Sequence, residues 1–297
     1  MVEERSFSRA AKRLHRSQPA VSQTIKKLEA ELGQPLLDRS LRDGTLTAAG
    51  TLIYDYAQKL VNLRSEATMA LGELKQMSRG KLTIGANEFT SLCLLPLLDE
   101  FRRLHPVVKI EVHRCLGSQI ANDLLNHKVE LGVLSFQPES SELRSTVIYR
   151  DQLAFILPPQ HPLARRKKVR IQQLGAEMFI AHNVTSPYRV KVLRSFERSR
   201  TPLNMGVELP TIEAIKRFVA MGNGVALVPH ISVRNELASG ELVSVSVPEL
   251  QFERKLRLVY RKRSPLSHAA QAFLAMAEAL GKDPKSSFLF QREGAVV

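Results

Sequence analysis

SFSRAAKRLHRSQPAVSQTIKKLEAEL, residues 6–32, is the stretch of this chain that decides its fold. Apolar residues recur there at helical spacing in two short segments, which predicts two amphipathic helices meeting at a tight corner. Small alanine side chains let two helix axes approach closely, as a helix-turn-helix requires. The same spacing also fits any other amphipathic helical pair. The predicted inner faces are Ala10, Ala11 and Leu14 on the first helix and Val21, Ile25, Leu28 and Leu32 on the second.

The opposite face of the second helix is polar. Ser17 is placed to cap this helix, and Pro19 stands in its first turn, where proline is tolerated. Gln can pair with a base edge, Ser with a base or a phosphate, and Lys mainly with phosphate. We therefore predict a DNA-contacting surface. It comprises Ser17, Gln18, Pro19, Ala20, Ser22, Gln23, Lys26 and Lys27.

A hairpin is predicted directly after these helices. Gly33 ends the second helix, and Asp43-Gly44 is a strong turn signal between two short strands. Arg39 and Arg42 flank the tip of the hairpin, so we predict that they contact the phosphate backbone as a wing.

A long helix follows, from a threonine cap at Thr47 to about Met77, and it contains no proline. Its apolar residues form one stripe, which predicts burial against a second copy of the chain. A helix folded back on its own domain is the alternative. The stripe consists of Leu52, Tyr56, Leu60, Leu63, Ala67, Ala70, Leu71 and Leu74. Ser78-Arg79-Gly80 is the predicted hinge after it.

Two sequence segments in this order and spacing are informative: SFSRAAKRLHRSQPAVSQTIKKLEAELGQPLLDRS and LTAAG. In both segments the chain resembles the LysR-type transcriptional regulators. The resemblance extends to about Leu280, and Leu37 stands where the family often has Phe. It implies a winged helix-turn-helix, a linker helix that pairs in a dimer, and a tetramer of two dimers. Family members carry a complete helix before SFSRAA, whereas this chain begins Met1-Val2-Glu3-Glu4. We expect either a start codon further upstream or a DNA-binding domain lacking part of its core, and we favour the first.

From Lys81 onwards strand-like and helix-like segments alternate, which predicts parallel βαβ units. The family resemblance implies their assembly into two α/β subdomains joined by two crossing strands, with a cleft like that of periplasmic binding proteins. The predicted strands are 81–86, 107–113, 129–134, 153–157, 178–181, 207–209, 225–228 and 255–260. The predicted helices are 92–104, 118–127, one from about 188, 211–221 and 267–280.

The predicted fold class is therefore α/β with an all-α, winged head. The predicted domains are a winged helix-turn-helix at 1–46, a linker helix at 47–78, a first effector subdomain at 81–157 and 255–281, a second at 158–254, and a tail at 282–297.

Polar residues at the ends of the predicted strands and the starts of the predicted helices mark the cleft. In such folds ligands bind at the carboxyl ends of strands, near helix N-termini. Hydroxyl groups and free N–H groups can hold a carboxylate or another small anion, although each residue also fits an ordinary cap or turn. The predicted effector-binding residues are Asn87, Glu88, Phe89, Thr90, Ser91, Gly117, Ser118, Ser135, Phe136, Thr185, Ser186, Thr211 and Pro229.

The charge of the chain suits a nucleic-acid partner. Its formal net charge is +14, yet residues 1–46 hold nine Lys or Arg against six Asp or Glu. Much of the surplus lies in runs at 165–168, 194–200 and 254–263, which we interpret as solvated faces. Two cysteines and no visible signal peptide or membrane span predict a cytoplasmic protein with no membrane partner.

We expect no enzymatic activity, no metal and no cofactor. The chain has no phosphate-binding glycine loop, no Gly-x-Ser-x-Gly elbow and no His-Glu-x-x-His helix. His113 and Cys115 share a predicted strand face and Cys93 lies on the neighbouring helix, but the set has too few ligands for a metal site. A redox switch is the alternative for these cysteines.

These observations favour a sequence-specific DNA-binding transcriptional regulator that responds to a small-molecule effector. Its partners would be an inverted repeat in double-stranded DNA, the effector, and further copies of itself. The alternative is a ligand-binding or dimerising module with impaired DNA binding, because most of the first family helix is missing.

Overall fold

A computed structural model describes residues 1–38, 45–75, 80–184 and 186–282. The chain divides into two compact units: Met1–Thr68 with Asn126–Lys128, and Met69–Leu125 with Val129 onwards. The predicted wing tip, the first two residues of the predicted hinge, and the tail beyond residue 282 lie outside the described residues. No described helix is long and apolar enough to cross a membrane.

The first unit begins with helices α1 (Phe7–Arg13) and α2 (Gln18–Leu32). The hydroxyl of Ser17 accepts a hydrogen bond from the Ala20 amide at 3.4 Å, so it caps α2 as predicted. Gly33 ends the helix at φ 66°, a left-handed conformation that glycine adopts without steric cost. Ala10 and Ala11 are buried where the two helices cross.

The outer part of the predicted inner face is exposed. Leu14, Leu28 and Leu32 are 59%, 39% and 42% exposed, so the prediction that they belong to the core is wrong for this structure. The small alanines bring the helix axes close together, and only side chains next to the crossing, such as that of Val21, are covered.

A buried carboxylate ties α2 to the segment that follows it. Glu29 Oε1 accepts hydrogen bonds from the backbone amides of Leu36 at 2.8 Å and Leu37 at 3.3 Å. Leu37 in turn pairs with Leu46 in an antiparallel bridge, which closes the base of the predicted hairpin. A carboxylate with two amide donors offsets part of its desolvation cost, so Glu29 is a structural residue.

Helix α3 (Ala48–Lys75) starts at a threonine cap, because Thr47 Oγ1 accepts from the Gly50 amide at 2.9 Å. Six of the eight residues of the stripe predicted along this helix face solvent in the single chain, and the side chains of Ala70 and Leu74 lie outside the described part. The exposed members of the stripe are Leu52, Tyr56, Leu60, Leu63, Ala67 and Leu71.

The second unit contains nine strands and six helices in its described residues. The strands are β1 (Lys81–Ala86), β2 (Lys109–Arg114), β3 (Leu131–Leu134), β4 (Leu143–Leu157), β5 (Met178–His182), β6 (Asn204–Leu209), β7 (Ala226–Pro229), β8 (Val243–Ser244) and β9 (Glu253–Arg261). The helices are α4 (Glu88–Leu104), α5 (Gly117–Leu125), α6 (Pro187–Arg198), α7 (Ile212–Ala220), α8 (Arg234–Ser239) and α9 (His268–Lys282).

These strands follow the order β2-β1-β3-β9-β4-β7, with β8 also paired to β4. β1 pairs in parallel with β2 and β3, whereas β9 runs antiparallel to both β3 and β4. β5 and β6 form a parallel pair, and a bridge between Phe179 and Val225 connects β5 to the segment before β7. Two α/β subdomains therefore share the strands β4 and β9.

The crossing strand β4 is longer than predicted. It begins at Leu143 rather than at Leu153, and its residues 153–157 pair with β7 and β8 in the second subdomain. The sequence pattern grouped 153–157 with the first subdomain, because the polar residues between 143 and 152 hide the first half of the strand. Helix α4 also starts earlier than predicted, at Glu88 rather than Leu92.

Each subdomain has its own aromatic core. In the first, Phe101 of α4 meets Phe273 of α9 edge to face at 5.2 Å between ring centroids. In the second, Phe179 lies 5.9 Å from Phe155 and 5.4 Å from Phe196. The predicted return of the last helix to the first subdomain is thus observed, since α9 packs on the first core.

We predict opposite effects for alanine at two glycines of α3. A Cβ at Gly50 would lie 1.9 Å from the Leu36 carbonyl oxygen, whereas a Cβ at Gly72 would meet nothing within 4 Å. Gly50→Ala should destabilise the first unit by about 1–3 kcal/mol through overpacking. Gly72→Ala should stabilise the helix by about 0.5–1 kcal/mol. Amide hydrogen exchange of residues 1–38 and 45–75 in the full chain, which include all of α3, measures both effects. Equal exchange in the two variants would contradict the prediction.

Candidate functional site

The predicted DNA-contacting residues of α2 form a largely exposed surface. Ser17, Gln18, Pro19, Gln23, Lys26 and Lys27 are exposed, while Ala20 and Ser22 are half-buried. Residues three and four apart lie on one side of a helix, which places Gln23, Lys26 and Lys27 together. Arg39 and Arg42 lie outside the described residues. The exposed face of α2 thus offers the amide groups of Gln18 and Gln23 and the ammonium groups of Lys26 and Lys27 to a partner.

A cleft between the two α/β subdomains encloses a cavity of about 630 Å³. This volume lies within the range of small-molecule sites, roughly 300–1,000 Å³. Nine of the thirteen predicted effector-binding residues line it, and they come from both subdomains. They are Asn87, Glu88, Phe89, Gly117, Ser118, Ser135, Phe136, Ser186 and Pro229.

Three of the other four predicted residues, Thr90, Ser91 and Thr211, do not line the described cavity. Thr90 is buried, and its hydroxyl accepts from the Asn87 amide at 2.9 Å in a capping box. The Ser91 hydroxyl donates to the Asn87 carbonyl at 2.8 Å. Thr211 caps α7, accepting from the Ala214 amide at 3.1 Å. Thr185 lies outside the described residues. The hydroxyls of Thr90 and Thr211 accept from N–H groups that helix starts leave unpaired, whereas the Ser91 hydroxyl is used by a carbonyl of the same helix start.

Two of the cavity-lining residues are also caps. The Asn87 side-chain oxygen accepts from the Thr90 amide at 2.8 Å, and the Ser186 hydroxyl accepts from the Arg189 amide at 3.2 Å. Their side chains therefore satisfy one N–H each at the starts of α4 and α6. The remaining N–H groups of those first turns lie at the edge of the cavity, where a negative group is favoured.

Arg254 on β9 is one of the residues that line the cavity. Its Nη1 donates to Asp151 Oδ2 on β4 at 3.2 Å, and the ring centroids of Phe89 and Tyr188 lie 4.9 and 5.2 Å from its central carbon. Asp151 Oδ1 also accepts from the Ile231 amide at 3.4 Å. Burial raises the pKa of the Asp151 carboxyl above its ordinary value, because removal from water outweighs the attraction of Arg254.

The cleft is bridged by a tyrosine. Tyr188 on α6 of the second subdomain donates its hydroxyl to the carbonyl of Ser135, which follows β3 in the first subdomain, at 2.9 Å. Partial burial raises the pKa of this phenol above its ordinary value, so the hydroxyl keeps its proton at neutral pH. The bond holds the two subdomains in the arrangement observed here.

Two further cations that line the cavity, Lys216 and Arg189, have oxygen partners within the protein. Lys216 Nζ donates to the Ser232 carbonyl at 2.9 Å and pairs with Glu213 and Glu236. Arg189 donates to the carbonyl of His182 at 2.9 Å and pairs with Glu208. Burial lowers the pKa of His182, which favours its neutral form.

The cysteines and histidines form no metal site among the described residues, where no group of three potential ligands occurs. Cys93 is buried, and burial raises the pKa of its thiol to about 12. Cys115 is half-buried and lines the cavity. A thiol held in its protonated form is a poor nucleophile, so Cys93 behaves as a small apolar core residue.

Several cavity-lining residues were missed from the sequence. They include Arg114, His182, Tyr188, Arg189, Lys216 and Arg254. Tyr188 stands directly after the Ser186-Pro187 helix start, so its position in the first turn was an available signal. Arg254 had no such signal, since it precedes the predicted strand 255–260 and its partner lies in the half of β4 that the pattern did not show.

A helix-turn-helix joined to a two-subdomain ligand-binding fold defines a transcriptional regulator that binds DNA and a small-molecule effector. Residues 1–51 match the bacterial regulatory helix-turn-helix protein, lysR family, and residues 75–281 match the LysR substrate binding domain. The chain belongs to the LysR family of transcriptional regulators. The predicted family and fold class are confirmed.

Known relatives agree with this assignment. A probable RuBisCO transcriptional regulator of Trichormus variabilis is 33% identical over 277 residues, which cover 91% of this chain and 82% of the relative. The CcmR regulatory domain of Synechocystis PCC6803, solved in complex with 2-PG, is 26% identical with a TM-score of 0.63, covering 68% of this chain and 98% of that domain. CbnR, a LysR family transcriptional regulator, shares the fold at 19% identity with a TM-score of 0.71, over 95% and 96% of the two chains.

We predict that iodoacetamide at pH 8 labels Cys115 at least about ten times faster than Cys93 in the folded chain. A thiol with a pKa of about 12 is almost entirely protonated at pH 8, and Cys93 is also covered. The measurement is peptide mass spectrometry after timed labelling. In the Cys115→Ala variant only the slow labelling of Cys93 should remain. In guanidinium, which unfolds the chain, the two cysteines of the unmodified chain should be labelled at equal rates. Equal rates in the folded chain would contradict the burial of Cys93.

Proposed function

We propose that α2 reads DNA sequence through Gln18, Pro19, Ala20, Ser22 and Gln23, while Ser17, Lys26 and Lys27 contact phosphates. The observation that carries this proposal is the exposed polar face of α2, set on a helix whose other side packs on α1. Gln side chains can pair with base edges in the major groove, and a helix fits that groove. Arg39 and Arg42 complete the proposed interface as phosphate contacts of the wing.

We propose that the chain acts as a dimer, with a tetramer of two dimers as the larger assembly. Its α3 exposes a stripe of large apolar side chains that includes Leu52, Tyr56 and Leu60. Monomeric proteins rarely expose long apolar stripes, and a second copy of α3 is the occupant that two-fold symmetry supplies. A dimer of this kind would place two α2 helices on the halves of an inverted repeat.

We propose that a small-molecule effector binds between the subdomains and acts on transcription through their arrangement. The cavity, the polar residues along it and the helix starts at its edge support this. The candidate contacts are Asn87, Glu88, Phe89, Gly117, Ser118, Ser135, Phe136, Ser186 and Pro229, with Thr90, Ser91, Thr185 and Thr211 predicted from the sequence. An effector shifts the protein only if it binds one arrangement more tightly than another.

We also propose that the chain works by binding alone, without catalysing a reaction, since its family and its relatives are transcriptional regulators. We propose a cytoplasmic location as well, because the proposed DNA partner would lie there. Selection of duplexes from a random library by the full chain tests the proposed function. We expect enrichment of an inverted repeat, whereas a library that stays random would favour a ligand-binding module without DNA reading.

We predict that Gln23→Ala reduces sequence preference more than total affinity. A bidentate side chain–base pair contributes roughly 1–3 kcal/mol of discrimination, so preference for the selected site over a scrambled duplex should fall about tenfold or more. Titration of both duplexes at one salt concentration measures this. Gln34→Ala, an exposed glutamine beyond the end of α2, is the matched control. An equal loss of affinity for both duplexes would remove Gln23 from the base-contacting set.

We predict that Lys26→Ala weakens binding to every duplex alike and lowers the salt dependence. One phosphate contact contributes about 0.9 to the slope of log affinity against log salt concentration. The slope should therefore decrease by about one across a salt series. Lys167→Ala, in the exposed basic run at 165–168, is the control and should leave the slope unchanged. An unchanged slope for Lys26→Ala would show that Lys26 makes no phosphate contact.

A further inference from the structure

One buried cation in the cleft has more donors than partners. An arginine carries five N–H donors, and Nη1 to Asp151 is the single hydrogen bond of Arg254 within the described part of the chain. Its Nε has no acceptor there, and its side chain is only 7% exposed. Buried donors without an acceptor cost free energy. A further hydrogen-bond acceptor beside the guanidinium of Arg254 would therefore be favourable.

The pairing with Asp151 is also a weak one. Its 3.2 Å length exceeds the roughly 2.7–2.9 Å that is usual between a guanidinium and a carboxylate. The same carboxylate is shared with the Ile231 amide at 3.4 Å. Phe89 and Tyr188 lie close to the guanidinium as aromatic neighbours, but their rings do not replace an oxygen acceptor in its plane.

The other buried or paired cations of the cavity differ from Arg254. Lys216 has three oxygen partners for its three N–H groups, and Arg189 has a carbonyl and a carboxylate. A ligand could recruit either of them only by breaking those bonds. Arg254 therefore combines burial, positive charge, a position on the cavity wall and unused donors.

We propose that Arg254 binds the acid group of the effector, a carboxylate or a phosphate, and so determines that the effector is an anion. This assignment rests on the proposed function, since it names the anchor in the same cleft. Guanidinium forks match both acid groups with paired hydrogen bonds. Arg254 stands opposite Asp151 on the two strands that join the subdomains, so a bound acid would lie beside the connection between them.

The test measures acid binding by the full chain. Thermal unfolding is followed with inorganic phosphate, acetate or acetamide, the neutral isostere of acetate, at constant ionic strength set with chloride. The rise of the midpoint with concentration gives an apparent affinity. We expect at least one of the two acids to stabilise the chain more than acetamide does, and the preferred acid identifies the acid group.

Three variants locate the binding. Arg254→Lys keeps the positive charge but loses the planar pair of N–H donors of the guanidinium. This variant should bind the acid at least tenfold more weakly. Asp151→Asn removes the competing carboxylate and should tighten acid binding. Arg150→Gln is the matched control, because Arg150 pairs with Glu253 on the exposed side of the same strands, next to Asp151 and Arg254 in the pairing. It should leave acid binding unchanged.

The proposal is wrong if neither acid stabilises the chain more than acetamide, or if Arg254→Lys binds acid as tightly as the unmodified chain. Binding of the same variants to the selected DNA duplex separates this result from the proposed function. Specific DNA binding without acid binding would reject the anchor and leave the regulator intact. Acid binding that needs Arg254, in a chain that selects no DNA, would support the anchor and reject the DNA-reading function.

Discussion

The antiparallel pairing of β4 with β9 is the constraint on which the effector-binding unit depends. β9 also pairs with β3, and β4 continues into a pairing with β7, so the same two strands belong to both subdomains. The cavity opens beside this pair, where Asp151 and Arg254 stand opposite each other. A small rotation about two shared strands would change the width of the cleft while leaving each core intact. A ligand that prefers one width can therefore shift the population of arrangements.

Charge in the cleft is abundant but mostly compensated within the protein. Lys216 and Arg189 each have carboxylate partners, and the hydroxyls at Thr90 and Thr211 are used by helix caps. Buried charges need such partners, because desolvation costs several kcal/mol for each ion. The groups left to meet a ligand include the amides at the starts of α4 and α6, the exposed side chain of Arg114 and the unused donors of the buried Arg254. Specificity in such a site depends on a small number of placed polar groups within an otherwise apolar wall.

The first unit relies on a much smaller core. Among the described residues of this unit, the buried apolar ones are Ala10, Ala11, Val21, Leu36 and Leu37. Small domains bury a lower fraction of their surface and are correspondingly less stable. Local polar bonds therefore matter more here, among them the bonds from the Leu36 and Leu37 amides to Glu29 and the cap at Thr47. The close approach of Gly50 to the Leu36 carbonyl fixes how α3 leaves this core, and α3 then presents its apolar stripe to solvent.

The family resemblance implied the cleft, and nine of the residues predicted there line the cavity. Local pattern in the sequence determined the helix caps at Ser17, Ser186 and Thr211, the position of the helix-turn-helix and most strands of the second unit. These features depend on neighbours within a few positions, so periodicity and cap chemistry reveal them. Only the tertiary structure decided the first half of β4, the exposure of Leu28 and Leu32, and the meeting of Arg254 with Asp151 and Tyr188. Asp151 and Arg254 are separated by 103 positions in the chain, and strand register alone brings them together. Strand register and the relative position of the subdomains depend on packing between residues far apart in the chain, which a local sequence pattern does not show.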